Sequence, residues 1–226
     1  MPGFCYDPIG SAVSQHSGPF LRVTRGKTTT AAGLTVRPGA AALVAEHLAD
    51  VRSALERVPL DAVHQVVSII LAAHQRDSHV YILGNGGSAS TASHFACDLS
   101  KATIVEGKAR LRVTSLNDNV ALLTAWANDA SYERVFAEQL SNLLSAGDVV
   151  IAISASGNSP NVLAAMTAAR ERGAVTVGLV GHDGGQLLKL VDQDVHVAHE
   201  SYSVVEDCHL VLEHAITGCV RSELSG

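Results

Sequence analysis

Five short apolar runs punctuate the chain: HVYIL (79–83), RLRVTSL (110–116), DVVIAIS (148–154), AVTVGLV (174–180) and DVHVA (194–198). Each is rich in β-branched residues and bounded by Gly, Asp or Ser, the pattern of a strand. Segments of helical character separate most of them: ASTASHFACDLSK, NVALLTAWAND with ERVFAEQLSNLL, PNVLAAMTAARERG and GGQLLKLV. Such alternation leaves little choice of fold, because parallel strands need crossovers and both faces of the sheet must then be covered. The expected architecture is α/β, a doubly wound three-layer sandwich around a mainly parallel five-stranded sheet. Two further amphipathic helices precede it. AALVAEHLADVRSALERV and LDAVHQVVSIILAAHQ repeat apolar residues at helical spacing, as in Val63, Val66, Val67, Ile70 and Leu71. They are expected to pack on the sheet or on another subunit.

Residues 1–36 are rich in Gly, Ser, Thr and Pro, lack the continuous apolar core of a secretory signal, and read as a flexible extension. Residues 37–226 then read as a single domain, within the size one core supports. The longest apolar stretches fall short of the roughly 20 residues that cross a bilayer, so no membrane contact is expected. Cys5, Cys97, Cys208 and Cys219 lie far apart, without a CxxC pair, which suits a reducing cytoplasm. A formal net charge of -6 excludes the general basic character of a nucleic-acid binder. A small anionic ligand would have to be met by local donors.

Two loops offer them. GNGGS (84–88) and SASGNS (154–159) each sit directly behind an apolar run and ahead of a helix. In an open α/β sheet ligands collect at the carboxyl ends of strands, beside helix N-termini. Glycines there let the backbone approach a ligand, and the first-turn N–H groups and the helix dipole favour an anion. Ser88, Ser154, Ser156 and Ser159 add hydroxyl donors. Either loop alone reads more simply as a turn with an N-cap; two hydroxyl-rich loops in one sheet point to phosphate. Neither contains the Lys of a Walker loop or the GxSxG of a nucleophile elbow. Gly84, Gly86 and Ala89 do satisfy a relaxed dinucleotide fingerprint, but the acid it requires, Asp118, comes about 30 positions on rather than about 20.

The ionisable residues form a second pattern. His94 and Asp98 stand at i and i+4 on the helix behind GNGGS, and Glu206, Asp207, His209, Glu213 and His214 crowd the last helix. Imidazole and carboxylate serve proton transfer or zinc-like metals. Trp126 reads as core or interface and Cys97 as a small buried residue.

YILGNGGSASTASHFACDL, SASGNSPNVLAAMTAARERG, GHDGG and EDCHLVLEH together resemble the sugar isomerase (SIS) domain family, and within it the phosphoheptose isomerase group, from about residue 40 to 220. The resemblance implies a flavodoxin-like or Rossmann-like sandwich that binds a sugar phosphate in a homotetramer. It implies isomerisation of sedoheptulose 7-phosphate to D-glycero-D-manno-heptose 7-phosphate through an enediol. Carried over, Ser88, Ser154, Ser156 and Ser159 fall at phosphate-binding positions, with Asn85, Gly86, Gly87, Asp129 and Glu206 as further substrate-binding positions. Asp98 and His214 fall at the acid/base positions. A divalent metal, zinc in many members, is implied at His94, Asp98, Glu206 and His214. The chain departs from the family pattern in having Asp98 for Glu, Glu206 for Gln, and Ala102 where an Arg is usual. Some family members are non-catalytic sensors of sugar phosphates or partners of a replication initiator, and LTAWANDASYERVFAEQL resembles those too. The presence of both His94 and His214 favours an enzyme.

Overall fold

The computed structural model describes residues 39–226; the extension expected over residues 1–36 lies outside them. Five strands, β1 (His79–Gly84), β2 (Arg112–Ser115), β3 (Val149–Ser154), β4 (Val175–Val180) and β5 (Gln193–His196), form one sheet in the order β2-β1-β3-β4-β5. Every pair is parallel, so the sheet is wholly rather than mainly parallel. This is the flavodoxin-like order, in which the winding reverses between β1 and β3.

The strand sequences are apolar at successive positions because both faces are covered. Val80 and Ile82 of β1, with Val149, Ile151 and Ile153 of β3, face one helical layer. That layer comprises α1 (Ala40–Glu56), α2 (Leu60–Gln75), α3 (Gly87–Lys101) and α8 (Tyr202–Ser225), which contribute among others Ile70, Phe95, Leu99 and Ile216. Tyr81, Leu83, Val150 and Ala152 face the other, formed by α4 (Val120–Asp129), α5 (Val135–Leu143), α6 (Pro160–Glu171) and α7 (Leu187–Leu190). Phe136, Leu140, Val162 and Met166 fill that side.

Several local readings are refined. GGQLLKLV yields only the four residues of α7, and a 3-10 turn at Tyr132–Arg134 precedes α5. Trp126 packs half-buried against the second core. Cys97 is exposed rather than buried, since the apolar face of α3 runs through Ala92, Phe95, Ala96 and Leu99. Residues Val44–Gly226 make one compact unit. Within it Val44 and Leu48, one turn apart on α1, remain 60% and 62% exposed.

Candidate functional site

The two serine loops leave β1 and β3, the adjacent strands between which the winding reverses. They therefore meet at the crevice that such sheets reserve for ligands. Asn85, Ser88, Ser154, Ser156 and Ser159 line one cavity of about 180 Å³ there, together with Tyr202 and Glu206 of α8. The N-cap of α3 is Gly86, with φ +58°, a conformation that glycine adopts without strain. Gly87 and Ser88 open the helix, where N–H groups have no intrahelical partner. Gly84 is packed so closely against the backbone of Ser88 and Ile153 that a side chain has no room.

The second loop is braced from behind. Ser154 Oγ accepts from the Gly157 N–H at 3.1 Å, and Ser156 Oγ from Asn158 N–H at 3.3 Å. Asn158 Oδ1 accepts from Gln186 N–H, and Gly157 O from Leu187 N–H, tying the loop to the GHDGG turn after β4. Gly157, at φ +62°, lies against the Gly184 carbonyl. Ser159 is the N-cap of α6 but makes no capping bond with its side chain, which leaves the hydroxyl to the cavity.

Asn85 is held by a residue that sequence reasoning did not single out. Its Nδ2 donates to Asn161 Oδ1 at 2.8 Å and its Oδ1 accepts from Asn161 Nδ2 at 2.9 Å. Tyr132 Oη donates to the same Asn85 oxygen at 3.0 Å. Tyr202, also not anticipated, stacks edge-on against His182, the rings 4.4 Å apart. Asp129 is placed differently from the other substrate positions: it is exposed at the end of α4, accepts a bond from Asn128, and does not line the cavity. Asp118, the acid of the dinucleotide fingerprint, accepts from Ser93 and lines a separate cleft beside β2.

Along α3 from the cavity, His94 and Asp98 meet α8 at His214 and Glu213. His94 Nε2 and His214 Nε2 each lie 3.7 Å from Asp98 Oδ2, while Glu213 Oε1 is 3.5 Å from His94 Nδ1 and 3.3 Å from His214 Nε2. One ligand atom from each residue lies within 4.8 Å of every other, so these four form a possible metal-binding cluster. Metal bonds of about 2.0–2.2 Å place the corners of a tetrahedron about 3.3–3.6 Å apart, so the four ligand atoms, which lie within 4.8 Å of one another, would draw in around an ion. Glu213 is fully buried, and neither carboxylate oxygen has a hydrogen-bond partner among the described residues. Burial, reinforced by the charge of Asp98, pushes its carboxyl up to about 8. An orphaned buried carboxylate facing two imidazoles fits a divalent cation.

Glu206 does not join that cluster. Its carboxylate lies over Gly87, where any side chain would collide with it, at the N-terminal end of α3 beside the serines. Of the four residues expected at the metal, the structure gathers His94, Asp98 and His214; Glu213 stands fourth, and no spacing rule pointed to it.

Against known proteins, the SIS domain profile matches residues 45–181, more than half of the chain. A phosphoheptose isomerase of Geobacter sp. (strain M21) is 35% identical over 77% of this chain and 91% of its own. One from Helicobacter pylori is 38% identical over 71% of this chain and 83% of its own. Among solved structures, the phosphoheptose isomerase of Neisseria gonorrhoeae superposes with a TM-score of 0.73 at 34% identity, covering 80% of this chain and 96% of that one.

Proposed function

The chain belongs to the SIS domain family, alongside phosphoheptose isomerases, and we propose that it is an aldose–ketose isomerase interconverting sedoheptulose 7-phosphate and D-glycero-D-manno-heptose 7-phosphate. One observation carries the reading: α3 begins in the serine-lined cavity and bears His94 and Asp98 two to three turns later, so a single helix joins an anion cradle to a proton-transfer cluster.

The phosphate sits on the first-turn N–H groups of α3 with Ser88, Ser154, Ser156 and Ser159 around it. Neutral donors bind the anion without fixing a counter-charge, which suits reversible occupancy. Gly86 keeps this backbone accessible, Gly87 makes room for the Glu206 carboxylate beside it, and Asn85, locked by Asn161, faces the sugar hydroxyls. Glu206 and Asp129 remain substrate contacts in this reading. Asp129, exposed here, reaches a sugar only at the edge of the site or across a subunit boundary.

The reaction moves two protons. One of Asp98 and His214 takes a proton from C1 of the open-chain ketose as the other delivers one to the C2 oxygen, giving a cis-enediol. The O1 proton then leaves and C2 is protonated, giving the aldose. His94, Asp98 and His214 with Glu213 are the residues that would hold a divalent metal, most simply Zn2+, whose Lewis acidity supplies polarisation of the substrate oxygens when bound. The exposed Val44 and Leu48 support assembly through the N-terminal helices, in keeping with a homotetramer. The scattered cysteines suit a cytoplasmic setting. No helix among the described residues is long and apolar enough to cross a membrane.

Proton NMR of sedoheptulose 7-phosphate in deuterated buffer, with and without zinc, tests the proposal. Formation of an aldoheptose phosphate with deuterium at C2 is expected, as is loss of turnover with retained sugar-phosphate binding in His214→Ala. An unchanged sugar that nevertheless raises the melting temperature refutes the isomerase and favours a sugar-phosphate sensor.

A further inference from the structure

We propose that the metal site of this protein is completed by Glu213 rather than Glu206, giving a His94/Asp98/Glu213/His214 set, and that Glu206 is thereby released to the sugar-phosphate cavity.

Charge and hydrogen bonding are out of balance at Glu213. Glu213 is fully buried, and neither of its oxygens finds a hydrogen bond among the described residues. A carboxylate in that position is costly unless a cation or a set of donors compensates it. The groups that face it are the two imidazoles His94 and His214, with Asp98 beside them, and no Lys or Arg among the described residues pairs with it. Imidazoles in their neutral form do not offset the charge of two carboxylates. A divalent cation does: two carboxylates cancel its charge, and two histidines and two acids are donors that zinc and neighbouring first-row metals accept.

Geometry then separates the two glutamates. Glu213 lies seven positions beyond Glu206 on α8, a rise of about 10 Å along the helix. Glu213 points to where α8 crosses His94 and Asp98 of α3. Glu206 points to the start of α3, its carboxylate over Gly87 and its side chain in the wall that also contains Ser88 and Ser154. The same helix thus gives one acid to each half of the site. In the phosphate half, an acid beside helix N–H groups supplies an acceptor for sugar hydroxyls among residues that otherwise donate.

The proposal builds on the reading of this crevice as a sugar-phosphate site, but it is tested by metal affinity and unfolding, so absence of isomerisation and absence of this ligand set appear in separate measurements. The full chain is stripped with a chelator, titrated with Zn2+ against a competing chelator, and melted with and without the metal. Removal of even an outer-shell partner of a metal ligand weakens binding tenfold to a hundredfold, so Glu213→Gln is expected to weaken Zn2+ binding at least about a hundredfold. Glu206→Gln should leave it within about threefold of the parent, while weakening sugar-phosphate binding. Glu213→Leu, which removes the uncompensated acid, should melt higher than the parent without metal and gain nothing from Zn2+. Glu213→Gln retaining parental Zn2+ affinity, or Glu206→Gln losing it, overturns the assignment. Should Glu213→Leu fail to fold, the isosteric Glu213→Gln still decides the matter.

Discussion

Replacing Asn161 by Ala should disturb the site through Asn85 alone, and the structure sets the size of the effect. Asn161 is 2% exposed and exchanges two hydrogen bonds with Asn85, at 2.8 and 2.9 Å, while its Oδ1 also accepts from the Val162 N–H. A buried hydrogen bond contributes about 1 kcal/mol net, and a stranded partner costs somewhat more. Asn85 is only half-buried and recovers part of its loss from water. The expected destabilisation is therefore about 2–3 kcal/mol, which for a domain of this size lowers the melting temperature by roughly 4–12 °C. A double-mutant cycle with Asn85→Ala isolates the pair, with a coupling of about 1–2 kcal/mol expected in urea unfolding. Because Asn85 faces the cavity, KM for the sugar phosphate should rise in Asn161→Ala. Asn161→Asp, which keeps an acceptor but loses the donor to Asn85 Oδ1, should reproduce much of the defect. Single-mutant effects that add within about 0.5 kcal/mol would mean that the two amides do not act as a unit, refuting the argument.

Other perturbations follow from the same geometry. Gly157→Ala forces a side chain into the left-handed region and against the Gly184 carbonyl, so calorimetry should show sugar-phosphate affinity falling at least about tenfold, or about 1.4 kcal/mol; unchanged affinity would count against the 154–159 loop as the anion cradle. Asp148, 6% exposed, accepts from the His79 and Ser145 N–H groups, both at 2.8 Å, and so clamps the starts of β1 and β3. Asp148→Ala should cost about 2–4 kcal/mol in urea unfolding, and a loss below about 1 kcal/mol would show that water replaces the carboxylate there. Burial holds His209 neutral and its pKa down to about 4, so the unfolded chain takes up a proton below its ordinary 6.5 while the folded chain does not. Stability present at pH 7 should therefore decline as pH falls from 6.5 toward 4. In the metal-free protein Glu213, raised to about 8, works in the opposite sense, gaining folded stability as pH falls from 8 toward 4.5, which makes the comparison of metal-stripped parent with His209→Met decisive. The variant should lose less stability than the parent between pH 7 and pH 5, and an identical loss in both would refute the assignment to His209.

The strands and the two serine loops were legible because each depends on local composition. A doubly covered parallel strand reads as a near-continuous run rich in β-branched residues, and VVIAIS and VTVGLV supply it. A tight approach of backbone to ligand needs Gly, and Gly84, Gly86 and Gly157 mark the places. What escaped depends on how elements pack. Glu213 and His214 are neighbours in sequence and point about 100° apart around the helix, so no i, i+4 rule joins them to one site. Only the crossing of α8 over α3 brings both to His94. Asn161 lies in the first turn of α6 behind Ser159 and Pro160, and its pairing with Asn85 is a contact across 76 positions. The splitting of ERVFAEQLSNLL into a 3-10 turn and α5 is likewise a matter of how the chain turns onto the second layer.

The single helix linking the two halves of the site has a further consequence. From Ser88 to His94 the axis of α3 rises about 9 Å, and a hydrogen-bonded helix does not stretch. On the proposed roles α3 is a ruler: with the phosphate seated at its first turn, the carbons reaching His94 and Asp98 are fixed by backbone pitch. A shorter sugar phosphate, anchored by the same serines, would present its carbonyl short of the imidazoles. Selectivity for chain length would then reside in the count of residues between cradle and cluster, and a whole turn added or removed there would reset it by about 5.4 Å.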